Sequence, residues 1–364
     1  MVEPSPPSAS VVVLNYNGRH LIEPCLEATV AQARSLGAEV VFVDNASTDA
    51  SVDFVRDRFP DVRVVENATN EWFAGGCNAG VRASRSDRVV LLNNDAVPEP
   101  GWLERLLAAV EPPDVAIACS VVRDSGFPDE YALGTGSISV IGHPIPGAFR
   151  DLDHPFYATG CSLVFKRELI GEPFPEVFFA YFEDTVLSWR ARLRGFRVTR
   201  ALDSVVQHLG SATASRMPGR ALFFYERNKL LMLLLCYERG TLLRLGPLYA
   251  FDAVTRLVRD LWLAAKTTQG QPAALGALVR RYAIIARAVA WLPAHRSELT
   301  ALRREVQRER QVRDAEITPM LSGKIFDDVR STRMQRFANL IALAYCRFVG
   351  IRTSEGLQLE GADR

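Results

Sequence analysis

Three short oxygen-bearing side chains, Asn93-Asn94-Asp95, end the apolar run Arg88-Val89-Val90-Leu91-Leu92. Oxygen ligands at the end of a buried strand suit a hard divalent cation, and such a cation commonly holds a phosphate. A second apolar run, Val40-Val41-Phe42-Val43, stops in the same way at Asp44-Asn45-Ala46-Ser47-Thr48-Asp49. Two polar strand ends imply one shared crevice. A third group, Glu183-Asp184, follows Phe178-Phe179-Ala180-Tyr181-Phe182. A carboxylate beside aromatic walls is partly desolvated, which raises its proton affinity toward what a general base needs. Each acid also has a plain structural reading: Asp44 as the cap of the turn 44–49, Glu183 or Asp184 as a helix N-cap.

These groups need a scaffold that brings strand ends together, and the sequence supplies one. Ser10 to Leu14 is a short apolar run that stops at Asn15-Tyr16-Asn17-Gly18, and Leu21, Ile22, Leu26, Val30 and Leu36 then follow at helical spacing. The unit repeats: strand 40–43, loop 44–50, helix 51–59, strand 62–65, a Gly-rich segment 74–80 opening a helix, and strand 88–92. Such alternation predicts a parallel sheet covered by helices, an α/β fold whose ligands bind outside the carboxyl ends of the strands. From Gly101 a helix leads to strand 115–119. The stretch 124–155, crowded with Gly, Pro and Asp, reads as loops and short antiparallel strands that shape an acceptor pocket. A helix ending at Gly195 follows the acidic pair, then a strand at 196–199, and Val205-Val206-Gln207-His208 leads into Gly210-Ser211. Beyond about Arg227 the sequence turns to long helical segments rich in Leu, Ala and Arg.

Composition narrows the classes. With 364 residues and 48% apolar content the chain can build a substantial core. A formal charge of +1 gives no field that would make nucleic acid the main partner. The six cysteines are scattered without a Cys-x-x-Cys pair, which argues against a zinc ribbon or a disulfide scaffold and fits a reducing, cytoplasmic setting. Residues 1–9 read as a flexible lead lacking the basic start and apolar core of a signal peptide. Leu230 to Cys236 is far short of the ~20 apolar residues that a membrane span needs. The arginine-rich stretch 279–313 suits either an interfacial helix facing anionic lipid or the solvated face of a helical bundle or oligomer interface.

Taken in order, Val-Leu-Asn-Tyr-Asn-Gly (13–18), Val-Asp-Asn-Ala-Ser-Thr-Asp (43–49), Phe-Ala-Gly-Gly-Cys-Asn-Ala-Gly (73–80), Leu-Leu-Asn-Asn-Asp (91–95), Tyr-Phe-Glu-Asp (181–184) and His208 resemble the nucleotide-sugar glycosyltransferases of family 2. The resemblance covers about Val11 to Asn228 and is nearest to bacterial rhamnosyltransferases. It implies a GT-A fold, a mostly parallel Rossmann-like sheet flanked by helices, over residues 10–228, with a helical extension over 229–364. It further implies an inverting, metal-dependent transfer of a sugar from a dTDP- or UDP-sugar donor to a hydroxyl of a glycan or polyprenyl-linked acceptor. Asp44 would read the pyrimidine, with Asn15, Asn17 and Asn45 near the nucleoside. Asn93-Asn94-Asp95 corresponds to the family's DXD motif with Asn at its first position. Asp95 and His208 would then hold Mn2+ or Mg2+ on the diphosphate, and Asn93 and Asn94 would position ribose or sugar. Phe73 and Asn78 would lie along the donor, the Gly75-Gly76 pair permitting close backbone approach before a helix N-terminus. Asp184 would be the base and Glu183 a partner for a hydroxyl or an orienting group. Arg227, in Tyr-Glu-Arg-Asn (225–228), would contact the diphosphate or a lipid phosphate.

The sequence departs from the family pattern twice: Trp72 stands where relatives carry Gly, and Val186 replaces the second Asp of Glu-Asp-x-Asp-Leu. The expected place of work is the inner face of the cell membrane, with peripheral lipid contact or homo-oligomerisation through the C-terminal helices. Two other classes were weighed. A nicotinamide oxidoreductase fails because Asn15-Tyr16-Asn17-Gly18 lacks Gly-x-Gly-x-x-Gly. A non-catalytic carbohydrate- or lipid-binding protein on the same fold is made thinkable by Asn93 and Val186.

Overall fold

The computed structural model describes residues 6–124, 136–145, 155–209, 218–267, 272–327 and 332–355. It divides into two compact units, Met1–Gly136 with Arg150–Ala212, and Ser137–Phe149 with Thr213–Arg364. The division comes ahead of the boundary expected at Asn228, so Arg227 belongs to the second unit.

The first unit is built on an eight-stranded sheet: β1 (Ser10–Asn15), β2 (Glu39–Asp44), β3 (Arg63–Glu66), β4 (Arg88–Asn93), β5 (Ala96–Pro98), β6 (Val115–Asp124), β7 (Ser162–Lys166) and β8 (Arg197–His208), in the order β3-β2-β1-β4-β7-β6-β8-β5. β1 to β4 pair in parallel. β7 runs antiparallel between β4 and β6, and β5 antiparallel along the end of β8. The sheet is therefore mixed beyond β4. The final strand, expected at 196–199, continues to His208 through a register shift against β6, and this places the imidazole opposite Ala96.

The central strands read as continuous apolar runs because both faces are covered. Val11, Val13, Val40, Phe42, Val90 and Leu92 face one core, together with Ile22 and Leu26 of the helix Ile22–Ser35 and Trp102, Leu103 and Leu106 of the helix Trp102–Val110. Val12, Val41, Val43, Val89 and Leu91 face the other, against the helices Trp72–Ala83 and Glu183–Leu193. A period of two on a sheet buried on both sides leaves no polar position until the strand ends. The polar residues are forced to the carboxyl edge.

The Gly-rich segment forms no loop before a helix. Gly75 and Gly76 lie inside the helix Trp72–Ala83. A Cβ on Gly76 would come within 2.5 Å of Leu14, and one on Gly80 within 2.3 Å of Val12. The glycines let this helix press onto β1 and β2.

The second unit is helical: Pro218–Cys236, Arg239–Thr267, Pro272–Ala294, Arg296–Arg308 and Arg333–Phe348 are its long elements. Leu231, Met232, Leu233, Leu235 and Cys236 are buried, so the apolar run 230–236 is core. No helix among the described residues is long and apolar enough to cross a membrane. Residues 137–145 belong here, joined by a bridge from Ser139 to Ser322 and a hydrogen bond from the Tyr237 hydroxyl to the Val140 carbonyl. The rest of the expected acceptor-pocket stretch, 125–135 and 146–154, lies outside the described residues, as do Gly210 and Ser211.

Candidate active site

Asn15 ends β1 fully buried and joins the carboxyl ends of three strands. Its Nδ2 donates to Asp44 Oδ1 (3.3 Å) and Ser47 Oγ (3.2 Å), and its Oδ1 accepts from Asn94 Nδ2 (2.8 Å). Asp44 Oδ2 accepts from the Ser47 amide (2.8 Å), so Asp44 does cap its turn, with its carboxylate buried. The Asn17 amide donates to Ser47 Oγ (2.9 Å), and Asn17 Oδ1 receives the Thr48 amide (2.7 Å). The two loops are locked to each other.

Gly18, which sequence reasoning passed over, makes this junction possible. A Cβ there would sit 2.3 Å from Asn94 Nδ2 and 2.4 Å from Asn15 Oδ1. Its signal was present in Asn-Tyr-Asn-Gly, a turn at a strand end, but the cause is a contact with Asn94 that sequence order does not show.

Asn93 continues the line. Its amide donates to the Cys161 carbonyl (2.9 Å), and the neighbouring Gly160 amide donates to Asp184 Oδ2 (2.9 Å). Residues 160–161 thus tie the acidic pair to the end of β4. Gly160 has its own packing reason, since a Cβ would meet the Phe73 ring at 3.2 Å and Asp184 Cβ at 3.6 Å. Phe73, leaning on Phe174 with ring centroids 5.8 Å apart, therefore lies beside Asp184.

Asp184 accepts two further bonds from Thr185, at 2.6 Å from its amide and 3.2 Å from its hydroxyl. Burial raises its proton affinity, while these hydrogen bonds oppose the rise by favouring the carboxylate. Glu183 has no such support. Its Oε2 is buried without a hydrogen-bond partner, and burial followed by the charge of Asp184 pushes its carboxyl well above the usual range. Both carboxyls are thus pushed toward the protonated form, Glu183 the further of the two.

The segment before the pair is held in a costly backbone shape. Phe179, Tyr181 and Phe182 have φ of 59°, 73° and 67°, and Asn17, Ala46 and Trp72 also have positive φ. Every non-glycine residue of this kind among the described residues lies on the loops around these groups. Strain of about 1–3 kcal/mol per residue persists where the surroundings over-determine it, commonly at functional sites. Trp72 packs edge-on against Phe179, with centroids 6.4 Å apart, so the aromatic that replaces Gly supports the loop.

Asp95 lies two residues past the end of β4, and its Oδ1 is 3.3 Å from His208 Nε2, with both side chains mostly buried. The Leu209 amide donates to the Asp95 carbonyl (2.9 Å), which fixes the end of β8 to this position. One carboxylate oxygen and one imidazole nitrogen at this separation can share a divalent ion. No cluster of three or more His, Cys, Asp or Glu suited to a metal occurs among the described residues. The donor set thus fits an ion that takes its other ligands from a diphosphate and water, the usual situation of Mg2+ in nucleotide sites.

Other expected site residues serve the fold. Asn45 uses its amide fully: Nδ2 donates to Asn70 Oδ1 (3.0 Å) and the Trp72 carbonyl (2.9 Å), and Oδ1 accepts from Asn67 Nδ2 (3.0 Å) and the Glu71 amide (3.0 Å). It is a clamp on segment 67–72, not a nucleoside contact. Asn78 is fully buried and bonded at both ends to the backbone of Phe174, so it does not face a donor. Val186 is fully buried in its helix and offers nothing to an acceptor. Arg227 is buried in the second unit among the rings of Phe223, Phe224 and Trp291 at 4.6–5.6 Å, which is where its desolvated guanidinium is held.

The polar network and the acidic pair thus gather around strand ends of an α/β sheet. Residues 10–171 match Glycosyl transferase family 2. The fold is GT-A. It is similar to the crystal structure of GalNAc-T7 with UDP, GalNAc and Mn2+, at a TM-score of 0.53 and 14% identity over 65% of this chain and 49% of that one. Among curated proteins the chain is 24% identical over 233 residues to the O-antigen biosynthesis protein RfbC of Myxococcus xanthus, a match covering 57% of this chain and 18% of that protein. It is 25% identical over 256 residues to the N-acetylglucosaminyl-diphospho-decaprenol L-rhamnosyltransferase of Mycobacterium tuberculosis, covering 61% of this chain and 83% of the relative. The match to the first of these spans under a fifth of its length.

Proposed function

We propose that the protein is an inverting, metal-dependent glycosyltransferase that moves a sugar, rhamnose being the first candidate, from a dTDP- or UDP-sugar to a hydroxyl of a glycan or polyprenyl-linked acceptor. The reaction would take place at the inner face of the cell membrane. The observation that carries this is the linkage by hydrogen bonds and chain neighbours from Asp44 through Asn15, Asn94, Asn93, Cys161 and Gly160 to Asp184, with Asp95 next to Asn94 in the chain and His208 3.3 Å from it. On this reading Asp44 at the end of β2 serves the base, Asp95 and His208 the diphosphate and its cation, and Asp184 at the start of the helix Glu183–Leu193 the acceptor hydroxyl. The mycobacterial relative's name supports the rhamnosyl donor and the lipid-linked acceptor.

Asp184 takes the proton of the acceptor hydroxyl as its oxygen attacks the anomeric carbon opposite the diphosphate, which inverts that centre. Gly160 and Thr185 hold the carboxylate in a fixed orientation for this task. Protonated Glu183 offers a donor to a sugar hydroxyl, and Asp44 accepts an N–H of a pyrimidine. Asp95 and His208 would hold Mn2+ or Mg2+, which when bound neutralises charge on the leaving diphosphate. The test is a thermal-shift panel of dTDP-, UDP- and GDP-sugars with and without Mn2+, on the wild type and Asp95→Ala. A pyrimidine-specific, Mn2+-dependent rise that is absent in the variant is expected, with a gain of about 2.7 kcal/mol at a hundredfold excess over Kd. A response to GDP-sugars alone would overturn the role given to Asp44.

A further inference from the structure

Sixteen of the nineteen large apolar side chains exposed among the described residues lie between Leu234 and Phe348, in the second unit. One coherent face belongs to the helix Arg333–Phe348. Ala338, Asn339, Ala342 and Cys346 bury its inner side, while Met334, Phe337, Leu340, Ile341 and Phe348 stand 39–87% exposed on the other. At the helical spacing of 100° per residue these five fall within an arc of about 120°, the width of an apolar stripe that normally packs on a core. Here nothing in the described residues covers it.

The charges beside the stripe choose its occupant. Arg336 and Arg347 lie along one edge and Arg333 opens the helix, all three exposed and without an acidic partner among the described residues. No Asp or Glu occurs between Asp328 and Glu355. Just past the helix, Gly350, Ile351 and Arg352 line a cavity of about 150 Å3 together with Arg244. Its one carboxylate, Asp314, is already held by Arg310 at 2.9 Å. The basic character is also regional: residues 229–364 hold 22 Lys and Arg against 13 Asp and Glu, so they carry +9 of a chain whose total is +1 and whose first 228 residues carry −8.

We propose that the helix Arg333–Phe348 is an interfacial membrane-binding element. It lies in the plane of an anionic bilayer with Phe337, Ile341 and Phe348 at the headgroup–acyl boundary and the arginines at lipid phosphates. A second copy of the chain fits the stripe less well, because a two-fold contact would bring the same uncompensated arginine edges together with no acid on either helix. In-plane binding also suits a unit whose described helices include none able to span. The helix lies outside the arginine-rich stretch 279–313 that the sequence singled out, since amphipathicity there is masked by packing that only the fold displays. The proposal is compatible with a lipid-linked acceptor but does not depend on it, and its test uses neither donor nor acceptor.

The test is co-sedimentation of the full chain with vesicles of phosphatidylglycerol or of phosphatidylcholine, in low and high salt. Three arginines near an anionic surface, each worth about fivefold, predict on the order of a hundredfold preference for phosphatidylglycerol, reduced by salt. Phe337→Glu with Phe348→Glu should abolish binding with unchanged circular dichroism and melting, because both side chains are exposed. Arg336→Gln with Arg347→Gln should remove most of the lipid preference. Leu243→Glu, on another helix and 79% exposed, should bind as wild type. Wild type failing to bind phosphatidylglycerol, or the double Phe variant binding as well as wild type, would overturn the proposal. So would vesicle-independent self-association that the double Phe variant abolishes, which would assign the face to a second copy.

Discussion

Replacing Gly18 by Ala adds one methyl group at the junction of β1, β2 and β4, and its consequences can be worked out atom by atom. The new Cβ would lie 2.3 Å from Asn94 Nδ2 and 2.4 Å from Asn15 Oδ1, so the 2.8 Å bond between those atoms cannot survive in place. Losing it costs about 1 kcal/mol, and leaving a buried amide group unsatisfied adds about 1–3 kcal/mol. Asn15 cannot simply turn away, because its Nδ2 is held by Asp44 and Ser47. The expected destabilisation is about 2–4 kcal/mol, or a fall in Tm of roughly 2–4 °C per kcal/mol for a unit of this size. Urea denaturation of the wild type, Gly18→Ala, Asn94→Ala and the double variant forms a cycle. Since the methyl group and the Asn94 truncation break the same bond, the double variant should be milder than the sum by at least about 1 kcal/mol. Strict additivity, or a Gly18→Ala cost below about 0.5 kcal/mol, would refute the reasoning, since the junction would then be loose enough to absorb a side chain.

Asn78→Ala should cost about 2–4 kcal/mol, because it strands the buried N–H and C=O of Phe174. Donor KM should not change, and a large KM rise at unchanged stability would return Asn78 to the donor site. Glu183→Gln should raise Tm at neutral pH: the folded carboxyl titrates above its unfolded value, so its contribution to stability is full below about pH 4.5 and is lost as pH rises through the folded value. The gain over wild type should therefore vanish near pH 4, and a gain independent of pH would point to packing instead. In the second unit, burial and then Lys229 lower the His143 imidazole to about 4, against the 2.7 Å bond from Asp252 that would raise it. A depressed imidazole means the unfolded chain binds the extra proton first, so stability should fall by about 3 kcal/mol as pH drops from 6.5 to 4. His143→Gln should flatten that slope in acid denaturation curves.

What could be read from the sequence was what repeats locally. The runs 10–14, 40–43 and 88–92 announced strands because both faces of those strands are buried, and their polar ends announced the crevice because a doubly covered sheet admits polar groups nowhere else. The roles given to Asp184, Asp95 and His208 came from the family resemblance, and the structure brings the last two within 3.3 Å of each other. The contacts that separate a ligand-facing amide from a structural one were not legible. Asn45 and Asn78 sit among the motif residues yet are consumed by Asn67, Asn70, Glu71, Trp72 and Phe174. The pair Gly75-Gly76 read as room for the donor's close approach, because that leaves the same composition whether the neighbour is a ligand or, at Gly76, Leu14. Arginine density likewise pointed to 279–313, while the helix with an open apolar face lies further on.

In the proposed site a neutral-looking tripeptide would serve a leaving group that is strongly anionic. Asn94 spends its amide nitrogen on Asn15, and Asn93 is anchored through its backbone to Cys161 and Cys25. Neither asparagine adds charge, so Asp95 is the lone carboxylate of its motif, and His208 would be the second donor, from β8. A second acid in place of Asn94 would lose the donor that satisfies Asn15 Oδ1 and would set two oxygens against each other in a buried position, a cost of the order of an unsatisfied buried acceptor. Holding β1, β2 and β4 in register and holding a cation thus make opposite demands on position 94. The amide meets the first demand, and the imidazole at the end of an extended β8 meets the second.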